Sequence, residues 1–273
     1  MALVPFPSPQ SGALPIPPDE DDDNPAAGRM SFLEHLDELR KRIVNSAIAI
    51  GVCVVLGFAF INRIVDFILA PTRGALPPGV KMIYTEPGEA FSLYIQISLI
   101  MGVVLAAPFI MYQVWMFIAP GLYSNEKRLA IPFVLFTTIG FVLGAAFNHY
   151  IAFPFMMAFF ASFNTPDLAF MPKLDDVFGL YSKMLLGMGL VFQMPTVVFF
   201  LAKMKLITAR FLIGHFKYAF LIIFVAAAVI TPSGDMMTQT IFAAPMVGLY
   251  VLSIAIAWLV GPKRLRAPKE TVG

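Results

Sequence analysis

The sequence predicts an all-α, polytopic membrane protein, with six transmembrane helices preceded by a short amphipathic N-terminal helix on the cytoplasmic side. Three observations point there. Of 273 residues, 59% are hydrophobic and 13% charged, where a soluble domain carries roughly half and a quarter. The mean hydropathy of +0.79 implies more apolar surface than one water-soluble core can bury. Six apolar segments approach the length needed to cross ~30 Å of hydrocarbon. A soluble enzyme, a disordered chain and a disulfide scaffold are thereby excluded, and the single cysteine, Cys53, allows no internal disulfide. A net charge of +2 gives no argument for nucleic acid as a partner.

Residues 1–29 differ from the rest. They carry Pro5, Pro7, Pro9, Pro15, Pro17, Pro18 and Pro25 and the acidic run from Asp19 to Asp23. Proline removes backbone donors and like charges repel, so a disordered extension is expected. It lacks the basic start and apolar centre of a secretory signal; an upstream start codon added to a protein beginning at Met30 is the plainer origin. From Met30 the pattern changes. Ser31 and Glu34 have the spacing of a capping box. Phe32, Leu33, Leu36, Leu39 and Ile43 then form one apolar stripe opposite Asp37, Glu38, Arg40, Lys41 and Arg42. This predicts an amphipathic helix lying at the membrane surface and running into the first span.

The spans are expected at about Ile43–Ile61, Phe91–Met116, Ile131–Phe153, Tyr181–Leu201, His215–Ile230 and Met237–Val260. The fifth is the shortest, and only residues 231–236 separate it from the sixth. With the N-terminus cytoplasmic, 14 of the 19 Lys and Arg fall inside, which predicts that both termini are cytoplasmic. The membrane domain covers 30–262, followed by a basic cytoplasmic tail at 263–273. Two long outer connections remain, Asn62 to Ala90 and Pro154 to Leu180, and connections of that length are usually functional or folded on themselves.

Catalytic signatures are absent from the sequence: no HExxH, no Gly-x-Ser-x-Gly, no phosphate-binding glycine loop. His35, His149 and His215 are scattered and read as surface or interfacial residues rather than metal ligands. Asp235 lacks the intramembrane partner carboxylate an aspartyl protease needs. Gln193 stands mid-span, where an amide without partners is costly. It is either glue between helices of this chain or a dock for a polar residue on a separate helix. Glu38 pairs locally with Arg42 at i,i+4 spacing, and Glu126 has Lys127 and Arg128 beside it; residue chemistry alone favours these local pairings.

The run Phe32-Leu33-Glu34-His35-Leu36-Asp37-Glu38-Leu39-Arg40-Lys41-Arg42 resembles the N-terminal motif of the TatC family, the large subunit of the twin-arginine translocase. So does the stretch from Ala107-Pro108-Phe109 through Tyr112-Gln113-Val114-Trp115 to Ala119-Pro120-Gly121-Leu122-Tyr123 and Glu126-Lys127-Arg128. Ile230-Thr231-Pro232-Ser233-Gly234-Asp235, with Gln239, resembles the family's turn between its fifth and sixth helices. The likeness runs from about Met30 to Lys263. It implies a receptor in a bacterial cytoplasmic (inner) membrane, not an enzyme, with no cofactor. The expected partners are twin-arginine signal peptides on folded cargo and single-span TatA/TatB-type proteins in an oligomeric complex, with transport driven by the proton-motive force. By the same resemblance Glu38, Arg40, Phe117 and Glu126 bind the signal peptide, Gln193 meets the partner helix, and Asp235 and Pro71, the latter fixing a turn in the first outer loop, belong to an outer (periplasmic) cap. Gln193 stands where many members carry Glu, so a proton-exchanging role is in doubt there. The competing class, a proton- or ion-coupled small-solute transporter, would need titratable groups at the bilayer midplane.

Overall fold

A computed structural model of the chain describes residues 32–76, 80–118, 130–165, 167, 170–231 and 236–261. The extension at 1–29 and the tail at 263–273, together with Glu126 and Asp235, lie outside the described residues. The first helix, α1 (Phe32–Ala59), is continuous. The amphipathic stretch therefore runs without a break into the first span, as its sequence predicts. No Gly or Pro interrupts residues 32–50, and the Ser46 hydroxyl is satisfied on its own helix, donating to the Arg42 carbonyl at 2.9 Å.

The first outer connection is not a loop throughout. Residues Ile61–Ala75 form α2, with Val65, Ile68, Leu69 and Thr72 on one buried face, the spacing of an amphipathic helix. Pro71 sits inside α2; its fixed φ suits the helix, and the helix accommodates the loss of the one ladder bond that an amide there would have donated to the Phe67 carbonyl. The proline was expected to set a loop turn, and the structure puts it in a helix instead. The next span is α3 (Glu89–Ile118).

The third span consists of α4 (Ala130–Phe147), a π-helical turn at Asn148–Ala152 and α5 (Phe153–Ala161). It continues well past its expected end, so the second outer connection shrinks to the stretch before α6 (Leu174–Val191). The fourth span breaks after α6 and resumes as α7 (Met194–Lys203). A short α8 (Ala209–Gly214) precedes α9 (Phe216–Ile230), and α10 (Met236–Val260) closes the bundle. Five of these rods are long and apolar enough to cross a bilayer, and α9, with 15 residues, is the shorter sixth. At ~1.5 Å per residue it falls short of ~30 Å of hydrocarbon.

Two crossings are close enough to require glycine. A Cβ on Gly102 of α3 would collide with Val54 of α1, and one on Gly144 of α4 would lie 2.6 Å from the Met188 carbonyl oxygen of α6. Small residues let helix backbones touch where lipid supplies no hydrophobic drive for association. Gly144→Ala is therefore expected to lower the melting temperature of the purified protein in detergent, by an overpacking cost of about 1–3 kcal/mol. Gly51→Ala in α1, where a Cβ meets nothing within 4 Å, should be neutral or slightly stabilising. Equal melting of the two variants would remove the steric argument.

Candidate functional site

The first turns of α1 meet the last turns of α3. Glu38 and Arg42, one turn apart, form an ion pair at 2.8 Å, their side chains 14% and 18% exposed. Arg42 Nη1 also donates to Gln113 Oε1 at 3.2 Å, and Gln113 is buried. One turn below, the His35 ring stacks on Phe117 with centroids 4.3 Å apart and planes 17° apart. His35, Glu38 and Arg42 thus share the α1 face turned to Gln113 and Phe117. The end of α3 is itself anchored: Trp115 packs on Phe133 of α4 at 4.8 Å, and Phe133 on Phe200 of α7 at 4.9 Å.

The local Glu38–Arg42 pairing foreseen from spacing is present, and it uses one carboxylate oxygen. Among the described residues, Glu38 Oε2 is buried and accepts no hydrogen bond, and Arg42 Nε is likewise buried without a partner. A desolvated carboxylate oxygen is a strong acceptor for a guanidinium, through short charge-assisted bonds. Arg40 projects away and is exposed, so of the expected peptide-binding residues the described structure brings together Glu38 and Phe117. Gln113 and His35 were not assigned to the site from sequence. Gln113 stood in plain view as the one amide among Met111, Tyr112, Val114 and Trp115.

At the opposite end a second polar cluster fastens the outer connections. Glu89 opens α3 and is 6% exposed. Its Oε2 accepts from the Thr85 amide at 2.9 Å and the Glu86 amide at 3.3 Å, and its Oε1 accepts from the Asp175 amide at 3.1 Å. Lys173 Nζ lies 3.8 Å from Oε2. Alongside, Ile83 and Lys173 form a parallel bridge: the Ile83 amide donates to the Pro172 carbonyl, and the Leu174 amide to the Ile83 carbonyl. One carboxylate thus serves the first turn of α6 and the strand-like segment before α3, an arrangement also favoured by the α6 dipole. Nothing in the sequence beyond an acid one turn before an apolar run signalled it.

Beside this latch, α2 packs against α5 and the π-helical turn. Phe67 stacks on His149 at 4.0 Å, and His149 Nδ1 lies 3.0 Å from the Tyr181 hydroxyl. His149 is buried, not superficial as expected. Its burial comes from the extension of the third span beneath α2.

Gln193 lies at the break between α6 and α7 and is 7% exposed. Its backbone amide turns to the Leu190 carbonyl at 3.0 Å, and its side-chain Nε2 takes the Gly189 carbonyl at 3.1 Å. The side chain thus replaces a ladder bond that the kink removes. Oε1 is buried without a partner among the described residues and lies near Gly140 of α4. Its surroundings are this chain's own helices, the geometry of intrachain glue.

A family model described as Sec-independent protein translocase protein (TatC) matches residues 34–245. The chain is 43% identical over 233 residues to a Sec-independent protein translocase protein TatC from Desulforapulum autotrophicum, covering 85% of this chain and 86% of that one. It is 40% identical to the protein of that name from Koribacter versatilis, over 88% and 90% of the two chains. A solved structure of the twin arginine translocase receptor TatC superposes with a TM-score of 0.74 at 36% identity, covering 83% of this chain and 99% of that one.

Two variants test the clusters. Glu89→Ala leaves three backbone amides without their acceptor, at about 1.5–3 kcal/mol for a charged hydrogen bond. Protease cleavage between residues 80 and 88 and between 162 and 173 should accelerate at least tenfold. Arg73→Ala, which breaks an exposed pair with Asp66, should change little. Gln193→Leu strips the Gly189 carbonyl of its donor and should lower thermal stability by about 1–3 kcal/mol, while Gln193→Glu, kept neutral by burial, should be tolerated. Cleavage unchanged by Glu89→Ala, or melting unchanged by Gln193→Leu, would contradict the respective role.

Proposed function

We propose that this chain, which belongs to the TatC family of Sec-independent protein translocase proteins, receives the twin-arginine motif of a signal peptide at the α1–α3 end of its bundle. The observation that carries the proposal is Glu38 Oε2, buried and without a partner among the described residues, beside a carboxylate oxygen already held by Arg42. Two guanidinium groups call for two acids, and the second is Glu126 of the Leu122-Tyr123-Ser124-Asn125-Glu126 motif. Phe117, stacked on His35, gives an incoming arginine an aromatic neighbour. Arg40, exposed on the same turns of α1, faces the remainder of the peptide.

On this reading the α1–α3 end is cytoplasmic, as are both termini, and the Glu89 latch with Pro71 and Asp235 belongs to the periplasmic cap. Cargo crosses folded, in complexes with TatA/TatB-type single-span proteins, at the expense of the proton-motive force. Gln193 offers such a partner one acceptor, Oε1, which a foreign helix reaches only if α4 and α7 part.

The test is photocrosslinking of a twin-arginine signal peptide to membranes holding the full chain. Glu38→Ala and Glu126→Ala should each cut crosslinking by tenfold or more, since a desolvated charge pair that loses one partner costs about 2–5 kcal/mol. Replacing the peptide's arginine pair with lysines should weaken wild-type crosslinking, because a point charge cannot bridge both oxygens. Undiminished crosslinking by the double variant would reject the assignment.

A further inference from the structure

Between α4, α7 and α10 the bundle leaves an open-sided cavity of about 350 Å³, within the range of roughly 300–1,000 Å³ typical of small-molecule sites. Phe136 of α4, Pro195, Thr196 and Phe199 of α7, and Ile256 and Leu259 of α10 line it. The wall is apolar apart from the Thr196 hydroxyl. Leu259 at its rim is 72% exposed, so the mouth opens on the surface that the bilayer covers.

Two lysines follow the wall residue Phe199 at the end of α7, Lys203 as its last residue and Lys205 just beyond it. Lys203 holds Nζ 5.8 Å from the ring centre of Phe199, a wall residue. Lys205 adopts φ 61°, its amide donating to the Ala202 carbonyl at 3.0 Å and the Leu206 amide to the Leu201 carbonyl at 2.9 Å. This is the Schellman helix ending, whose left-handed position is usually glycine. A lysine there carries backbone strain that glycine would avoid. The electrostatic benefit of a cation at a helix C-terminus is already supplied by Lys203. Lys205 is exposed, so burial does not explain it either.

We propose that this cavity holds an acyl chain of an anionic phospholipid, with Lys203 and Lys205 receiving its phosphate headgroup. A hydrocarbon chain is the ligand a lateral opening into the bilayer supplies, and basic sites flanking spans select acidic headgroups. An uncharged lipid or a partner's apolar helix would fill the wall and leave both cations unused.

Native mass spectrometry of the full-length chain in mild detergent tests this, with phosphatidylglycerol and phosphatidylcholine of identical acyl composition in competition. The wild type should retain one phosphatidylglycerol in preference to phosphatidylcholine by about thirtyfold, the order expected from two interfacial lysines. The Lys203→Ala, Lys205→Gly double variant should lose that preference with its fold intact, because glycine relieves the strained position. Thr196→Phe should fill the cavity and displace both lipids. Equal retention of the two lipids by the wild type, or a preference surviving in the double variant, overturns the headgroup assignment. Lipid retention unaffected by Thr196→Phe, or a single-span protein co-purifying in place of lipid, overturns the cavity as the site.

Discussion

A backbone surrounded by hydrocarbon has only itself to hydrogen-bond, and this constraint decides where the structure can be irregular. Hydroxyls inside the rods fold back on their own helices: Ser98 on the Tyr94 carbonyl, Thr137 on Phe133, Ser253 on Leu249. Where the fourth span kinks, the Gln193 side chain takes the Gly189 carbonyl that its own backbone amide has left for Leu190. Where the chain leaves regular helix altogether, before α3 and before α6, a buried carboxylate collects the freed amides. At these places a break in the ladder is accompanied by a polar side chain that repairs it; at the π-helical turn it is not, since both amide atoms of Asn148 are buried without a partner among the described residues.

The same constraint explains how the site is suspended. Large exposed side chains such as Ile43, Ile48, Val52 and Val55 cover much of α1, whose contacts within the bundle are overwhelmingly with α3. Its hold depends on the Gly102 crossing at mid-height and, near its start, on Arg42–Gln113 and His35–Phe117. By contrast, the end of α3 is clamped through Trp115 to α4 and α7. One wall of the site is therefore rigid. The other hangs from a hydrogen bond and a ring stack, contacts worth of order 1 kcal/mol each, a range in which local opening is easily reached.

Span count and order were legible in the sequence because crossing hydrocarbon demands length and apolarity, and both are read directly from residues such as those of Ile131–Phe153. The outer elements were not. In α2 the buried stripe of Val65, Ile68 and Leu69 was present, but Pro71 read as a turn residue because its φ suits both states. The extension through α5 was hidden by Pro154, which is tolerated in the first turn of a helix. Glu38, Phe117 and Glu126 were assigned to the site only through motif resemblance. Their chemistry alone pointed to local pairing, and for Glu38 that pairing is present. The Glu89 latch depends on Asp175, 86 residues away, and no local pattern encodes such a contact.

That Glu38 is already paired with Arg42 does not count against its proposed role as a receptor for arginine. Bringing an isolated carboxylate out of water at the moment of binding would set its desolvation cost against the affinity. Here that cost is met on folding, offset by Arg42 through Oε1, and Oε2 is left desolvated and in place. An incoming guanidinium has only its own water to lose, and Arg's weak hydration makes that loss smaller than for lysine. Arg42 in turn is held by Gln113, whose oxygen accepts without adding charge. A carboxylate there would neutralise Arg42 twice over and compete with Glu38 for it. The neutral amide leaves Arg42 on Glu38 and sets the direction of the free oxygen, and such preorganisation lets a small polar site discriminate between cations.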